Sequence, residues 1–419
     1  MQPVGLAAQL EPSPGDPRMD PSDSADVPFD LAGLTEVVPS VNGTYPTVPA
    51  PPPGSPRRAD IDAKQEQVAR VLDAMGCEAA LLLMAAHVSW FTAGMNVRGL
   101  IAESERPAVY TNGRQRWLLC SNVDTQRLFD EELDQLGFQL KEWAWDGGRA
   151  DMLMSVTAGR KVTADRPFPH VPPANDRLRP LVRVLSAFEQ DQYRELGRLV
   201  AHAVEATARN VTRGQTEEEV AGQLGHRLLH RGAEAAALSV AADGRGATFR
   251  RAGFTAAAIQ ETCVLQATAH RGGLYATASR SVSFGPPPEE FRKGYERALR
   301  LAALYRAGSV PGETMAAARA GDRAVLAGTS HEFDGRLSQP GYGAGRFPAE
   351  ELRRGGRDEP FAAGQALVWQ PRVGPAAVVD TVLVGAGGPE CVTPPAEWPH
   401  KRVLIADRTH LIPDVLVRG

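Results

Sequence analysis

Residues able to do chemistry are scattered through this sequence rather than clustered. The four cysteines, Cys77, Cys120, Cys263 and Cys391, lie far apart, with no CxxC and no Cys/His cluster. That pattern predicts free thiols, not a disulfide framework or a structural zinc site. Cys263 opens a predicted strand and reads as a buried structural thiol rather than a nucleophile. There is no G-x-S-x-G elbow; Gly328-Thr329-Ser330-His331 fits no nucleophile geometry, and His331 reads as a surface residue. The glycine clusters Gly341 to Gly345 and Gly385 to Gly388 lack the Lys-Ser/Thr and strand-to-helix context of a phosphate loop, so they read as turns. Carboxylate chemistry needs paired acids, yet no Asp occurs between Asp243 and Asp322, and Glu261 and His270 stand without partners nearby in sequence. Arg280 and Asp380 suggest a buried ion pair, which is structure rather than catalysis. Arg353-Arg354 and Arg357 sit in a Gly-rich loop and read as a solvated face.

The elements that must position these residues begin near Arg58. Residues 1–57 hold 13 of the chain's 33 prolines and no hydrophobic period, so they read as a disordered, Pro-rich leader. Apolar residues at helical spacing over Ile61 to Met75 predict a helix that Gly76 stops. Strands are predicted at Ala79 to Met84, Val109 to Gly113, Trp117 to Cys120 and Phe138 to Trp143, with a helix over Val123 to Leu136. This alternation gives a small α/β domain, residues 58–177, closed by a Pro-rich joint from Arg166 to Pro173. Residues 178–419 form the second domain. Ser186-Ala187-Phe188-Glu189 and Thr216-Glu217-Glu218-Glu219 are capping boxes opening two helices, to about Val211 and His230. Strands follow at Val264 to Ala269 and Leu274 to Phe284, then a helix from Pro287, then strand-like sequence from Gln365. The fold class is α+β.

Several short stretches resemble the M24 metallopeptidases: aminopeptidase P, prolidase, creatinase and methionine aminopeptidase. Val88-Ser89-Trp90-Phe91-Thr92-Ala93-Gly94 is similar to the N-x-x-Y-L-T-G element of the creatinase N-terminal domain. Ser186 to Glu189 sits where the family has K-S-x-x-E, and Val211 to Glu217 is similar to its pG-x-T-E linker. Ser279-Arg280-Ser281-Val282 resembles T-R-T-f, and Val378 to Val384 resembles r-x-E-D-T-v-l-V. The resemblance covers about residues 60–419 and implies a creatinase-like α/β N-terminal domain followed by a pita-bread C-terminal domain.

The family's dinuclear metal centre uses two Asp, one His and two Glu. Carried onto this sequence, those positions are Gln266 and Thr277 for the aspartates, Tyr342 for the histidine, and Gln370 and Val379 for the glutamates. A further family histidine would fall near Arg251-Ala252-Gly253 and is absent. Neutral side chains cannot balance two divalent cations, so no metal or other cofactor is expected. Arg280, Tyr275, Trp369 and Asp380 are expected to support the cleft.

The resemblance then implies a degenerate family member that binds a peptide or small molecule. Two alternatives stand beside it. One is an enzyme reusing the cleft without metal, with Tyr342 as acid and Arg280 as oxyanion partner; the other is an Xaa-Pro peptidase with relocated ligands. A charge of −4, from 46 basic and 50 acidic residues, argues against a broad nucleic-acid footprint. No apolar run spans a bilayer and no signal peptide is recognisable. A cytoplasmic protein, dimeric as the family often is, is expected.

Overall fold

Ser55 opens the first helix. Its hydroxyl accepts the Arg58 amide at 3.2 Å, Pro56 supplies a helix-ready φ, and Gly76 at φ 62° ends the run. The result is α1, Pro56–Met75. The computed structural model describes residues 54–97, 102, 105–332, 339–354, 357–405 and 407–419. The Pro-rich leader lies outside them except for its last four residues.

Next come β1 (Ala79–Leu82), α2 (Ala85–Phe91), β2 (Ala108–Thr111), β3 (Arg116–Ser121), β4 (Gln139–Trp143), α3 (Arg149–Thr157) and β5 (Val162–Ala164). They build a five-stranded sheet in the order β4-β3-β2-β1-β5. Successive strand residues point to opposite faces. One set (Ala80, Leu82, Val109, Leu118) packs with α1, and the other (Ala79, Leu81, Ala108, Leu119) packs with α3. The helix expected over Val123 to Leu136 is a turn at Thr125–Arg127 running into a π-helix, Leu128–Leu133.

After α4 (Asn175–Arg183), both capping boxes form as expected, on α5 (Ala187–Asn210) and α6 (Glu217–His230); such caps are worth ~1 kcal/mol each. A second sheet follows from β6 (Glu234–Ala242), β7 (Thr262–Arg271) and β8 (Leu274–Phe284), and α7 (Glu289–Ala307) comes after it. The third sheet takes β9 (Gly341–Ala344), β10 (Ala366–Trp369), then, beyond a short hairpin of β11 (Arg372–Val373) and β12 (Ala376–Ala377), β13 (Asp380–Gly385) and β14 (Gly388–Cys391). A hairpin of β15 (His400–Ile405) and β16 (Arg408–Pro413) precedes β17 (Leu416–Arg418), which pairs parallel to β8. The second sheet runs β17-β8-β7-β6 and the third β14-β13-β10-β9.

Helices α5 and α6 cover one face of the second sheet, and α7 covers one face of the third. The edge of β8 joins the two sheets: Tyr275 N donates to Gly345 O at 2.8 Å and Ser279 N to Val379 O at 2.9 Å. This mixed α+β arrangement is the pita-bread architecture. No helix among the described residues is long and apolar enough to cross a membrane.

Candidate functional site

The centre of the site is the β7–β8 hairpin. Its turn is Gly272-Gly273, at φ 56° and 70°, so Arg271 faces Leu274 directly. A side chain on Gly273 would run into the Ser89 and Arg346 side chains, so the turn is pinned between two distant parts of the chain. The register then sets Thr268 opposite Thr277 and Gln266 opposite Ser279. Leu265, Ala267 and Ala269, with Ala276, Ala278 and Val282, enter the core under α5 and α6. The residues between them, Gln266, Thr268, Thr277 and Ser279, therefore share the opposite face. Gln266 and Thr277 are diagonal neighbours there, and the Thr268 and Thr277 hydroxyls are bonded at 2.9 Å.

The third sheet meets this face with alternate residues of its own. Val368 pairs with Tyr342 on one side and Thr381 on the other. Thr381 and Thr277 hold each other twice, the Thr277 amide donating to the Thr381 hydroxyl and that hydroxyl donating to the Thr277 carbonyl, both at 2.8 Å. Val379 N donates to the Ser279 hydroxyl at 2.8 Å. Burial pushes the Tyr342 phenol up, with the Thr277 hydroxyl and the Arg372 guanidinium working the other way. Gln266, Thr277, Tyr342 and Val379 thus come together on two apposed sheet faces.

Arg372 enters the same space from β11, its Nη2 donating to Gln266 Oε1 at 2.7 Å. Burial pushes this guanidinium down to about 10, and the like charge of Arg250 adds to the effect. Arg250 donates to Gly374 O at 3.1 Å, in the turn of the same hairpin. The His331 ring lies against Gly374, half-buried, and is not the surface residue its sequence suggested.

Other expected members stand elsewhere. Gln370 uses its side-chain amide on the Gln339 carbonyl at 2.7 Å, at the entry to β9. Trp369 falls on the reverse face of β10, because neighbouring strand residues alternate. Its ring packs on Tyr305 at 4.8 Å and its indole N–H donates to the Ser309 hydroxyl at 2.8 Å, so it belongs to the core under α7 and gives the cleft no apolar wall. Asp380, beside Val379, also faces away: it accepts from Arg306 at 2.9 Å, from Arg280 at 3.3 Å and from the Thr393 hydroxyl at 2.9 Å. Arg280 points to α5, where Glu205 accepts at 2.9 Å, and it is fully buried. Arg280 and Asp380 are an ion pair as the sequence suggested, but neither supports the cleft directly, and Arg280 has no access to serve as an oxyanion partner. Tyr275 lies at the hairpin tip, stacked on His270 at 4.3 Å. It lines a cavity of about 230 Å³ with Ser89, Asn96, Arg106, His270 and Arg346.

Sequence reasoning missed Arg372, Thr268 and Thr381. The signal for Arg372 was its place directly after Trp369-Gln370-Pro371. It also missed the ion cluster in which Lys64 (α1) contacts Asp60 and Glu189, each at 2.5 Å, while Arg346 pairs with the same Glu189. Burial by itself would push the Glu189 carboxyl up; Arg346 and Lys64 overcome it and hold Glu189 at about 2. Burial pushes Lys64 down, against the pull of Glu189 and Asp60. Among the described residues no group of three or more His, Cys, Asp or Glu is arranged to hold a metal ion.

Residues 191–388 match the model of metallopeptidase family M24. No curated protein matches the chain significantly. Solved structures with the same fold include the dipeptidase PepE of Mycobacterium ulcerans, at 19% identity and TM-score 0.66 over 86% of this chain and 99% of that one. The prolidase of Pyrococcus horikoshii OT3 matches at 18% and 0.66, over 79% and 98%. The Xaa-Pro dipeptidase of Bacillus anthracis matches at 16% and 0.67, over 85% and 100%. The matched segment, which contains Gln266, Thr277, Tyr342, Gln370 and Val379, resembles metallopeptidase family M24, and the chain shares the fold of these dipeptidases and prolidases.

Proposed function

We propose that this chain is a metal-free member of its family, one that binds a peptide or small molecule in the cleft between β7–β8 and the third sheet and has no metal-dependent peptidase activity. One observation carries the reading: a guanidinium donates to Gln266, one of the positions where the family has a metal-ligating carboxylate. Two divalent cations bring four positive charges, and carboxylates are what offset them. Gln266, Thr277, Tyr342, Gln370 and Val379 supply two amides, two hydroxyls and an isopropyl group. Arg372 adds a fifth positive charge instead of subtracting one. These residues do not fit the dinuclear centre, and no catalytic step is derived through it.

The cleft that remains is polar and hydrogen-bonding, which suits a ligand with amide or carboxyl groups. A panel of Xaa-Pro dipeptides and tripeptides, incubated with the purified chain and added Mn²⁺, tests the reading. It expects no hydrolysis above a no-enzyme control. Turnover abolished by a chelator would overturn it. The cytoplasmic homodimer expected from the sequence is part of the same proposal, and light scattering on the purified chain tests its dimeric state.

A further inference from the structure

Among the described residues, the guanidinium groups of Arg280, Arg306 and Arg346 are buried and have carboxylate partners. Arg280 has Glu205 and Asp380, Arg306 has Asp380, and Arg346 has Glu189. Arg372 departs from that pattern. Its hydrogen-bond partner is the neutral Gln266 side chain, and no carboxylate among the described residues pairs with it. It retains partial access to solvent, while burial and the nearby Arg250 charge both disfavour its ionised form. A guanidinium nevertheless stays charged at neutral pH. An unpaired cation in such a place is costly until an anion joins it. Arg250, by contrast, is engaged on the Gly374 carbonyl.

We infer that the cleft is a carboxylate site: the Arg372 guanidinium receives the carboxylate of a small organic acid or the C-terminal carboxylate of a short peptide, beside the hydroxyls of Thr277, Thr268 and Tyr342. This rests on the metal-free reading above. A guanidinium fork matches the planar carboxylate bidentately. Its charge matches that of a monoanion. Gln266 takes one of the two Nη2 hydrogens at 2.7 Å, and the other, with a neighbouring guanidinium nitrogen, forms the two-nitrogen edge left for the ligand.

The test is thermal unfolding of the full chain after exhaustive dialysis against a chelator, with acetate, tri-alanine, tri-alanine amide and inorganic phosphate, each matched in ionic strength with sodium chloride. Binding to the native state alone raises Tm saturably. A saturable rise with acetate and tri-alanine, but not with the amide, is expected. Tri-alanine acting at least tenfold below the acetate concentration assigns the site to peptide C-termini; equal potency assigns it to small acids. Arg372→Met should abolish the rise while leaving the ligand-free Tm equal or higher, and Arg372→Lys should weaken it at least tenfold. No rise beyond the chloride control, an undiminished rise in both variants, or a stronger response to phosphate overturns the carboxylate site. A rise that appears only with added Mn²⁺ overturns the metal-free reading beneath it.

Discussion

Arg372 Nη2 and Gln266 Oε1 lie 2.7 Å apart, joining the β11–β12 hairpin to the second sheet across the cleft. A neutral acceptor leaves the guanidinium charge uncompensated. Gln266→Glu would supply the missing charge with little change in shape. The expected outcome is a ligand-free protein about 1.5–3 kcal/mol more stable, the size of a hydrogen bond to a charged group. Urea unfolding measures it, and an unchanged or lower midpoint would count against an unpaired Arg372.

Asp380 is the shared acceptor of Arg280 and Arg306. Removing one member of a buried ion network strands the others. Asp380→Asn should therefore cost about 3–5 kcal/mol, read as a fall in denaturant midpoint with an unchanged slope. A loss below about 1 kcal/mol, the range of an exposed pair, would show that this network contributes little.

Glu189 gives the fold an acid limit. Its folded pKa of about 2 lies below the ordinary carboxylate value, so its contribution is complete above the unfolded pKa and is lost as pH falls toward 2. The shift is worth on the order of 3 kcal/mol. Stability measured between pH 5 and pH 2 should fall in the native chain more steeply than in Glu189→Gln. Parallel curves would contradict the assignment.

Gly294 on α7 lies against the Val373 carbonyl, where an added Cβ would sit 2.5 Å from that oxygen. In an exposed helix, Gly→Ala gains up to about 1 kcal/mol. Here Gly294→Ala should lose roughly 1–3 kcal/mol from overpacking, measured by thermal unfolding. A gain in Tm would mean the hairpin carrying Arg372 yields easily.

Local signals in the sequence were strong wherever one element could declare itself. Ser186 with Glu189 and Thr216 with Glu219 specify their own helix starts, and the β7 and β8 strands announced themselves by apolar and small residues ending at Gly272-Gly273. The β6 strand, Glu234–Ala242, did not, because a run rich in alanine favours helix as much as strand. The site was half legible. Gln266 and Thr277 follow from family spacing counted back from Ser279-Arg280, and the local register of the hairpin sets them on one face. Trp369 and Asp380 were assigned to the cleft because they adjoin cleft residues in sequence, but in a strand the next residue faces the other way. Arg372 and the Lys64–Glu189–Arg346 cluster depend on contacts between residues more than a hundred positions apart, which no spacing rule encodes.

The central claim, that positive charge from Arg372 stands where this family holds metal, is tested most directly by elemental analysis. The full chain is purified without added metal, dialysed against Mn²⁺, Co²⁺ or Zn²⁺, freed of unbound ions and assayed for bound metal. The account predicts far less than one ion per chain, and a Tm unmoved by a chelator. One or two tightly held ions per chain, with Tm falling when they are stripped, would contradict it.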